Sequence, residues 1–380
     1  MKKKYVLFSI VTLVLLVALI TSFNYFKTTN TYIDDSFNNQ TKITKGISMN
    51  LEQTAGAGDY KTVTRSSWPT EGYKFNAELS RCENGSTLSW DDTKKAVIVS
   101  GNLSDKCYVY FDLARFDETC DGSTLACRIA KQYTGTQGEN SLYYHNSTLT
   151  NGAGDNSYRY AGASDSVNNY ICLGSDATTC PDANLFRIIG VFGDQTKVIR
   201  AKSVGNQKWD TNNSNTWASS SLNTYLNGTY LTSLGTLAEK IATTTWKVGG
   251  GAYANISQSV PKTAYQYEVG SSASTTIVDK KIGLMYVSDY GYAADQSGWT
   301  TKLSSYSSNT SKNWLYLGSY EWTISRDSGT TNYAFYVRGT GSVDVYSATI
   351  SYAVRPSFNL ESSVKYVSGS GSMSDPVRVN

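Results

Sequence analysis

The sequence predicts an α+β protein held outside a membrane by its first residues, and three observations carry that reading. Short apolar runs of strand type, bounded by clusters of Gly, Asn, Asp and Ser, lie on both sides of one clear helical period. Aromatics reach 13% of the 380 residues, with 29 Tyr and 8 Trp, while charged residues amount to only 17%. A chain so rich in rings has the apolar surface to offset the entropy of folding, which argues against disorder. Finally, a 19-residue uncharged run opens the chain and an even number of cysteines follows it.

The opening run, Tyr5 to Phe23, spans roughly 28 Å as a helix, close to the hydrocarbon thickness of a bilayer. Lys2, Lys3 and Lys4 precede it and only Lys27 follows closely, so the positive-inside bias puts the start in the cytoplasm and the bulk outside. The same three lysines account for the whole net charge: 34 Lys plus Arg stand against 31 Asp plus Glu, an excess of +3. The remainder is balanced and has no basic stripe to neutralise phosphates, which disfavours a nucleic-acid partner. A cleaved secretory signal is the alternative. Its apolar core would be long, and Ile20-Thr21-Ser22 is a poor cleavage site. Residues 1–27 are therefore expected as an uncleaved, single-pass signal anchor. Residues 28–44, polar and without an apolar period, read as a linker.

Residues 45–115 read as a small β module. Ala96 to Val99 and Cys107 to Phe111 are apolar runs separated by turn chemistry at Gly101 to Asp105, which predicts a hairpin. The six cysteines are Cys82, Cys107, Cys120, Cys127, Cys172 and Cys180. No Cys-x-x-Cys occurs, so zinc ribbons and dithiol redox motifs lack their basic unit. Sequential pairing is the simplest of about 15 connectivities, and it suits an oxidising compartment. Cys82 and Cys107 are too close in sequence for the inter-sheet disulfide of an immunoglobulin domain.

Residues 116–380 form the second region. Its first part, through Asn151 to Tyr160, favours turns. Leu185 to Phe192 and Thr196 to Arg200 then predict a hairpin with a short Gly-containing loop. Leu222, Tyr225, Leu226, Tyr230, Leu231 and Leu234 fall at helical spacing behind serines able to cap, although Gly228 weakens the middle by about 1 kcal/mol. Leu237 to Thr243 reads as a second, weaker helix. Lys281 to Val287, Tyr333 to Val337 and Ile350 to Phe358 read as strands, with a turn at Gly339 to Gly341.

Trp322-Thr323-Ile324-Ser325, the glycines at 339 and 341, Val354-Arg355-Pro356 with Phe358, and Val367 to Gly371 before Asp375-Pro376 resemble the closing motifs of an uncharacterised bacterial family of exported proteins. Asn184 to Phe192, Ile241 to Trp246 and Gly283 to Tyr292 resemble the same family, so the likeness covers about residues 118–380. The resemblance implies a C-type-lectin-like domain, the fold shared with formylglycine-generating enzymes and with the variable proteins of diversity-generating retroelements. It implies a stable scaffold with a variable binding surface in the stretch before the Arg-Pro motif, here residues 319–350, and a core position for Trp322. The chain departs from two activities of that fold. No cysteine follows Cys180, as the oxidase chemistry requires, and the Glu-Pro-Asn, Gln-Pro-Asp and Trp-Asn-Asp strings of calcium-dependent lectins do not occur.

The expected function is accordingly non-enzymatic binding or adhesion at the cell surface, toward a glycan or a protein. The ligand-binding candidates are Tyr320, Arg326, Asp327, Tyr333, Tyr336, Arg338, Asp344 and Tyr346, because Tyr presents large contact area at small entropy cost while Arg and Asp orient hydrogen bonds. Alternation along 333–338 predicts Phe335 and Val337 in the core with Tyr336 and Arg338 projecting. Trp322, Arg355 and Pro356 read as structural. His145 is the chain's one histidine, in a turn-rich stretch, and is expected to be solvated; no two-histidine machine can be built from it. No metal or other cofactor is expected: Asp289, Asp295, Asp327 and Asp344 have no calcium-loop spacing. A glycan hydrolase built on Glu321, Asp289 or Asp327 converging in space, or a diverged oxidase on the formylglycine-generating-enzyme fold that the resemblance implies, is the enzymatic alternative, and a structural envelope role is the third.

Overall fold

A computed structural model describes residues 31–32, 46–53, 58–64, 67–69, 72–102 and 105–380. The expected anchor, Tyr5 to Phe23, and all but Thr31 and Tyr32 of the linker lie outside the described residues. Among the described residues, no helix is long and apolar enough to cross a membrane. The architecture is mixed α+β, dominated by sheets, and the chain divides into two units, residues 1–119 and 120–380.

The first unit holds strands β1 (Thr31–Tyr32), β2 (Ile47–Glu52), β3 (Tyr60–Val63), β4 (Tyr73–Phe75), β5 (Arg81–Cys82), β6 (Thr87–Asp91), β7 (Ala96–Ser100) and β8 (Cys107–Leu113). β8 pairs in parallel with β2 and antiparallel with β4 and β5, whereas β7 pairs with β6 and β1. The expected hairpin between 96–99 and 107–111 therefore does not form; its two runs belong to different sheets. The cause is local. The Asp105 carboxylate accepts the backbone N–H of Asn84 at 2.8 Å and of Ser86 at 3.1 Å, which turns the chain away from β7. Cys107 then lies opposite Cys82 and is bonded to it. Met49, Val97, Val109 and Phe111 fill the core, with Phe75 and Trp90 packed against it.

In the second unit β9 (Leu142–Tyr144), β10 (Tyr158–Tyr160), β11 (Tyr170–Cys172), β12 (Leu185–Phe192) and β13 (Gln195–Arg200) belong to one sheet. β12 and β13 form the predicted hairpin, with a register shift between Ile188 and Gly190. β10 crosses β12 at Gly190 so closely that a Cβ there would stand 2.1 Å from the Tyr158 carbonyl oxygen. Only glycine permits that approach. Further along are β14 (Asn206–Lys208), the two-stranded pair β15 (Thr244–Lys247) and β16 (Ile277–Lys280), and β17 (Glu321–Arg326), β18 (Tyr333–Val337), β19 (Val343–Ser347) and β20 (Ser351–Ala353). A second sheet has the order β14-β20-β17-β18-β19. β21 (Ser357–Asn359), β22 (Tyr366–Ser368) and β23 (Val377–Val379) return to the first sheet. The expected strand over 350–358 is thus divided at Arg355-Pro356, its halves serving different sheets.

Helices are short: α1 (Leu125–Ala130), α2 (Ser221–Tyr225), α3 (Pro261–Glu268) and α4 (Val287–Tyr292). Ser220 caps α2 through the Asn223 N–H, and the helical path continues through a π-turn at Leu226–Tyr230 that contains Gly228. The second, weaker helix is a 3₁₀ turn over Gly235–Lys240. The expected strand over 281–287 is reduced to one bridge between Gly283 and Ser357. Two carboxylates win the backbone for a helix instead. Glu268 accepts the N–H groups of Val287 and Ser288, and Asp289 accepts that of Tyr286, so the open donors of α4 are satisfied.

All three disulfides follow sequential pairing, and no free cysteine remains. Each closed loop contributes about 2.5–3.5 kcal/mol on a chain-entropy basis. His145 is fully buried rather than solvated: its Nδ1 accepts the Ala153 N–H at 3.1 Å, and Tyr292 and Trp299 pack on its ring. Burial lowers its pKa well below 6.5, which keeps it neutral.

Candidate functional site

One face of the second sheet carries a continuous array of rings. Register places Trp322 opposite Tyr336 and Tyr336 opposite Asp344, while Tyr346, two residues beyond Asp344 on β19, lies on the same side. Tyr320 precedes β17 and Tyr352 sits on β20. Tyr352 is the centre of the array: its centroid lies 5.2 Å from Tyr320, 4.8 Å from Tyr336, 4.7 Å from Trp322 and 6.5 Å from Tyr346. Tyr320 stacks on it within 19° of parallel. The rings grade from a buried base to an open rim, since Trp322 and Tyr336 are 0% and 2% exposed but Tyr320 and Tyr346 are 51% and 49%.

Tyr336 was expected to project, and its burial corrects that expectation. Alternation puts it on the outer face, but Trp322, Tyr320, Tyr346 and Tyr352 cover that face, so both sides of β18 are shielded. Burial, followed by the neighbouring phenols, raises the Tyr352 hydroxyl to about 12, so the centre of the array is a neutral donor and acceptor. At the rim Arg338 Nη2 meets Asp344 at 2.8 Å and its Nε donates to the Tyr336 hydroxyl at 3.2 Å. Both charges are partly exposed, so the pair contributes about 0–1 kcal/mol to stability and remains available to a ligand.

Of the eight residues proposed from sequence, the structure brings Tyr320, Tyr336, Arg338, Asp344 and Tyr346 together. Arg326 and Asp327 do not join them. Arg326 donates to the Gly249 carbonyl at 3.0 Å, and Asp327 is buried and accepts the Gly329 N–H at 3.0 Å, closing a turn. Tyr333 is exposed but shares the other face of β18 with Phe335 and Val337. Tyr352, two positions past the 319–350 window, was missed; the alternation Ser351-Tyr352-Ala353 was the signal that could have found it. Trp322 donates its Nε1–H to the Gln207 carbonyl at 3.0 Å, while the Arg355 fork donates to both Glu321 oxygens, at 2.6 and 2.8 Å. Pro356 is buried, and its carbonyl accepts the Arg200 N–H at 3.0 Å.

A second place gathers charge. A cavity of about 230 Å³ is lined by Asp155, Arg159, Lys197 and Asp289, with Trp246 and Tyr286 among its walls. Arg159 bonds Asp155 at 2.6 Å and Asp289 at 3.4 Å. Burial alone would raise the Asp155 carboxyl, but Arg159 and Ser157 overcome it and hold it at about 2. A glycosidase acid must be protonated in use, and Asp155 is not. Glu321 is committed to Arg355 and Asp327 to its turn, so the three carboxylates raised for hydrolysis do not converge on this cavity; Asp289 alone lines it. Among the described residues, no group of three or more His, Cys, Asp or Glu is placed to hold a metal ion. The lysine and arginine of this cluster had no motif in sequence to announce them.

Residues 193–362 match the family model described as a domain of unknown function, DUF6273. That span contains the ring array together with Lys197, Glu268 and Asp289, whereas Asp155 and Arg159 precede it. No curated protein and no solved structure matches the chain.

Proposed function

We propose that this protein is an exported, membrane-tethered binding protein whose tyrosine array takes a carbohydrate chain. The carrying observation is the placement of Tyr320 and Tyr346, half exposed, around the stacked Tyr352, with the Arg338–Asp344 pair at the rim. A sugar ring offers a flat C–H face to an aromatic face and hydroxyls at its edge, and this surface offers rings flanked by a fork donor and a carboxylate. The open sheet face suits an extended polymer rather than an enclosed small molecule. In this reading residues 116–380 have the C-type-lectin-like fold, Tyr5 to Phe23 is the anchor, and the balanced composition of the remainder leaves recognition to rings and hydrogen bonds.

The test is retention of the full-length chain, in detergent, on a panel of immobilised polysaccharides alongside a panel of surface proteins. Retention on one or more polysaccharides, lost in Tyr320→Ala plus Tyr346→Ala, is expected. A stacked ring contributes about 0.5–1.5 kcal/mol, so each removal should weaken binding about 2- to 10-fold. Retention only on proteins, or no effect of the double substitution, would overturn the reading.

A further inference from the structure

Lys197 and Asp289 are in closer contact than a charge pair requires. Lys197 Nζ lies 2.5 Å from Asp289 Oδ2, with the two side chains only 7% and 3% exposed. Among the described residues this is the one hydrogen bond Nζ makes. The ammonium group is otherwise enclosed by rings, with Tyr286, Phe192 and Trp246 centred at 4.8, 5.5 and 5.5 Å. Burial lowers the lysine's pKa against the pull of Asp289, moving it toward the nucleophilic free amine. Asp289 Oδ1 faces Arg159 Nη1 at 3.4 Å, and Oδ2 also accepts the Tyr286 N–H at 2.9 Å. Glu268 lies at the same end of α4, almost fully buried, near enough to act electrostatically on both Lys197 and Asp289. Its carboxyl is raised by burial toward the protonated form.

An amine, a carboxyl carbon and a cationic fork are the parts of an amide condensation, and here they share a ring-walled cavity, with the Glu268 carboxyl outside its lining, bonded to the first N–H groups of α4. We propose that Lys197 and Asp289 join in an intramolecular amide between Nζ and Cγ, a covalent tie from β13 to α4 formed after the chain has folded. The ammonium first yields a proton to the carboxylate, giving the neutral pair that low dielectric favours. Nζ then attacks Cγ, and the oxyanion that develops on Oδ1 is met by Arg159. The Nζ–Cγ bond forms and the Cγ–Oδ2 bond breaks. The departing oxygen leaves as water with two of the three ammonium protons, the one first passed to the carboxylate and a second released from Nζ as the adduct collapses. Nothing is oxidised or reduced. The cavity lined by Lys197 and Asp289 gives the water an exit.

The place of the tie in the chain has a structural rationale. The last disulfide ends at Cys180, so the segment matched by the family model contains no cysteine cross-link. An amide across a sequence separation of 92 residues would restrict the unfolded ensemble there, and reduction would not break it. It would also replace two buried charges, each with a desolvation penalty, by a neutral group in the same position.

Mass measurement on the full-length chain decides the matter. After denaturation and reduction the wild-type chain is expected about 18 Da, one water, below the mass of its sequence. Trypsin should fail to cut after Lys197 and should release a branched peptide joining the Lys197 and Asp289 segments. Lys197→Arg, which keeps the ion pair but cannot condense, should show the full mass. Lys197→Arg should also retain the near-ultraviolet circular dichroism of the folded chain, so that its full mass reports the missing bond and not a failure to fold. A folded wild-type chain of full sequence mass, cut after Lys197, would overturn the proposal; so would a branched peptide that persists in Lys197→Arg.

Discussion

Glu321 and Arg355 sit at 1% and 3% side-chain exposure, and the paired hydrogen bonds between them make two charges tolerable there. Burial raises the Glu321 carboxyl while Arg355 opposes it, so the pair is tuned by its own contact. Arg355→Ala leaves a buried carboxylate without its partner and should destabilise the chain by about 3–5 kcal/mol in urea unfolding. Arg355→Met with Glu321→Met should recover part of that loss; equal losses would show that the fold depends on the site rather than on the pair. His145 provides a test in pH. Its pKa is well below 6.5 in the folded chain and near 6.5 when unfolded. The unfolded state therefore binds the extra proton, and this group's contribution is present above about pH 6.5 and lost as pH falls toward the folded value. As the one histidine in the chain, its imidazole proton resonances should stay constant from pH 7.5 to about 5.5. A midpoint near 6.5 would mean that it is solvated. Arg355 was legible because a guanidinium in an apolar run needs partners. His145 was not, because burial came from Tyr292 and Trp299, both distant in sequence.

The β12–β13 hairpin was legible in its elements, from a continuous apolar run, a Gly-containing turn and a second run. The crossing of β10 was not, because three residues of Tyr-Arg-Tyr carry no distinguishing period. Gly190 ties the two together, and Gly190→Ala forces β10 away from β12. That should cost about 1–3 kcal/mol, read as a lower urea midpoint with an unchanged slope; no shift would mean that the strands separate freely. The failed strand over 281–287 has a related cause. Apolar runs of this length do not separate strand from buried helix start, and Glu268 and Asp289 decide the outcome from outside the run. For β18, alternation assigned faces correctly but took the outer face to be wet. The rings of β17, β19 and β20 cover it.

At the scale of the whole molecule, sequential pairing was the simplest of the connectivities the cysteines allowed and is the one that forms, while the ring array was readable only as a segment. Four of its rings, Tyr320, Trp322, Tyr336 and Tyr346, fell within 319–350, but Tyr352 and the Gln207 carbonyl come from β20 and β14, which only the sheet order brings alongside. Charge balance beyond the opening lysines sets how the array should behave: with 31 acidic residues against 34 basic ones, three of these at positions 2 to 4, long-range attraction contributes little. The most direct test is calorimetric titration of the full-length chain with its best-retained polysaccharide at low and at about 0.5 M salt, for wild type and Tyr320→Ala. The account predicts affinities within about threefold across salt and a loss of about 2- to 10-fold on removing the ring. Affinity that collapses with salt, or that ignores Tyr320, would contradict it.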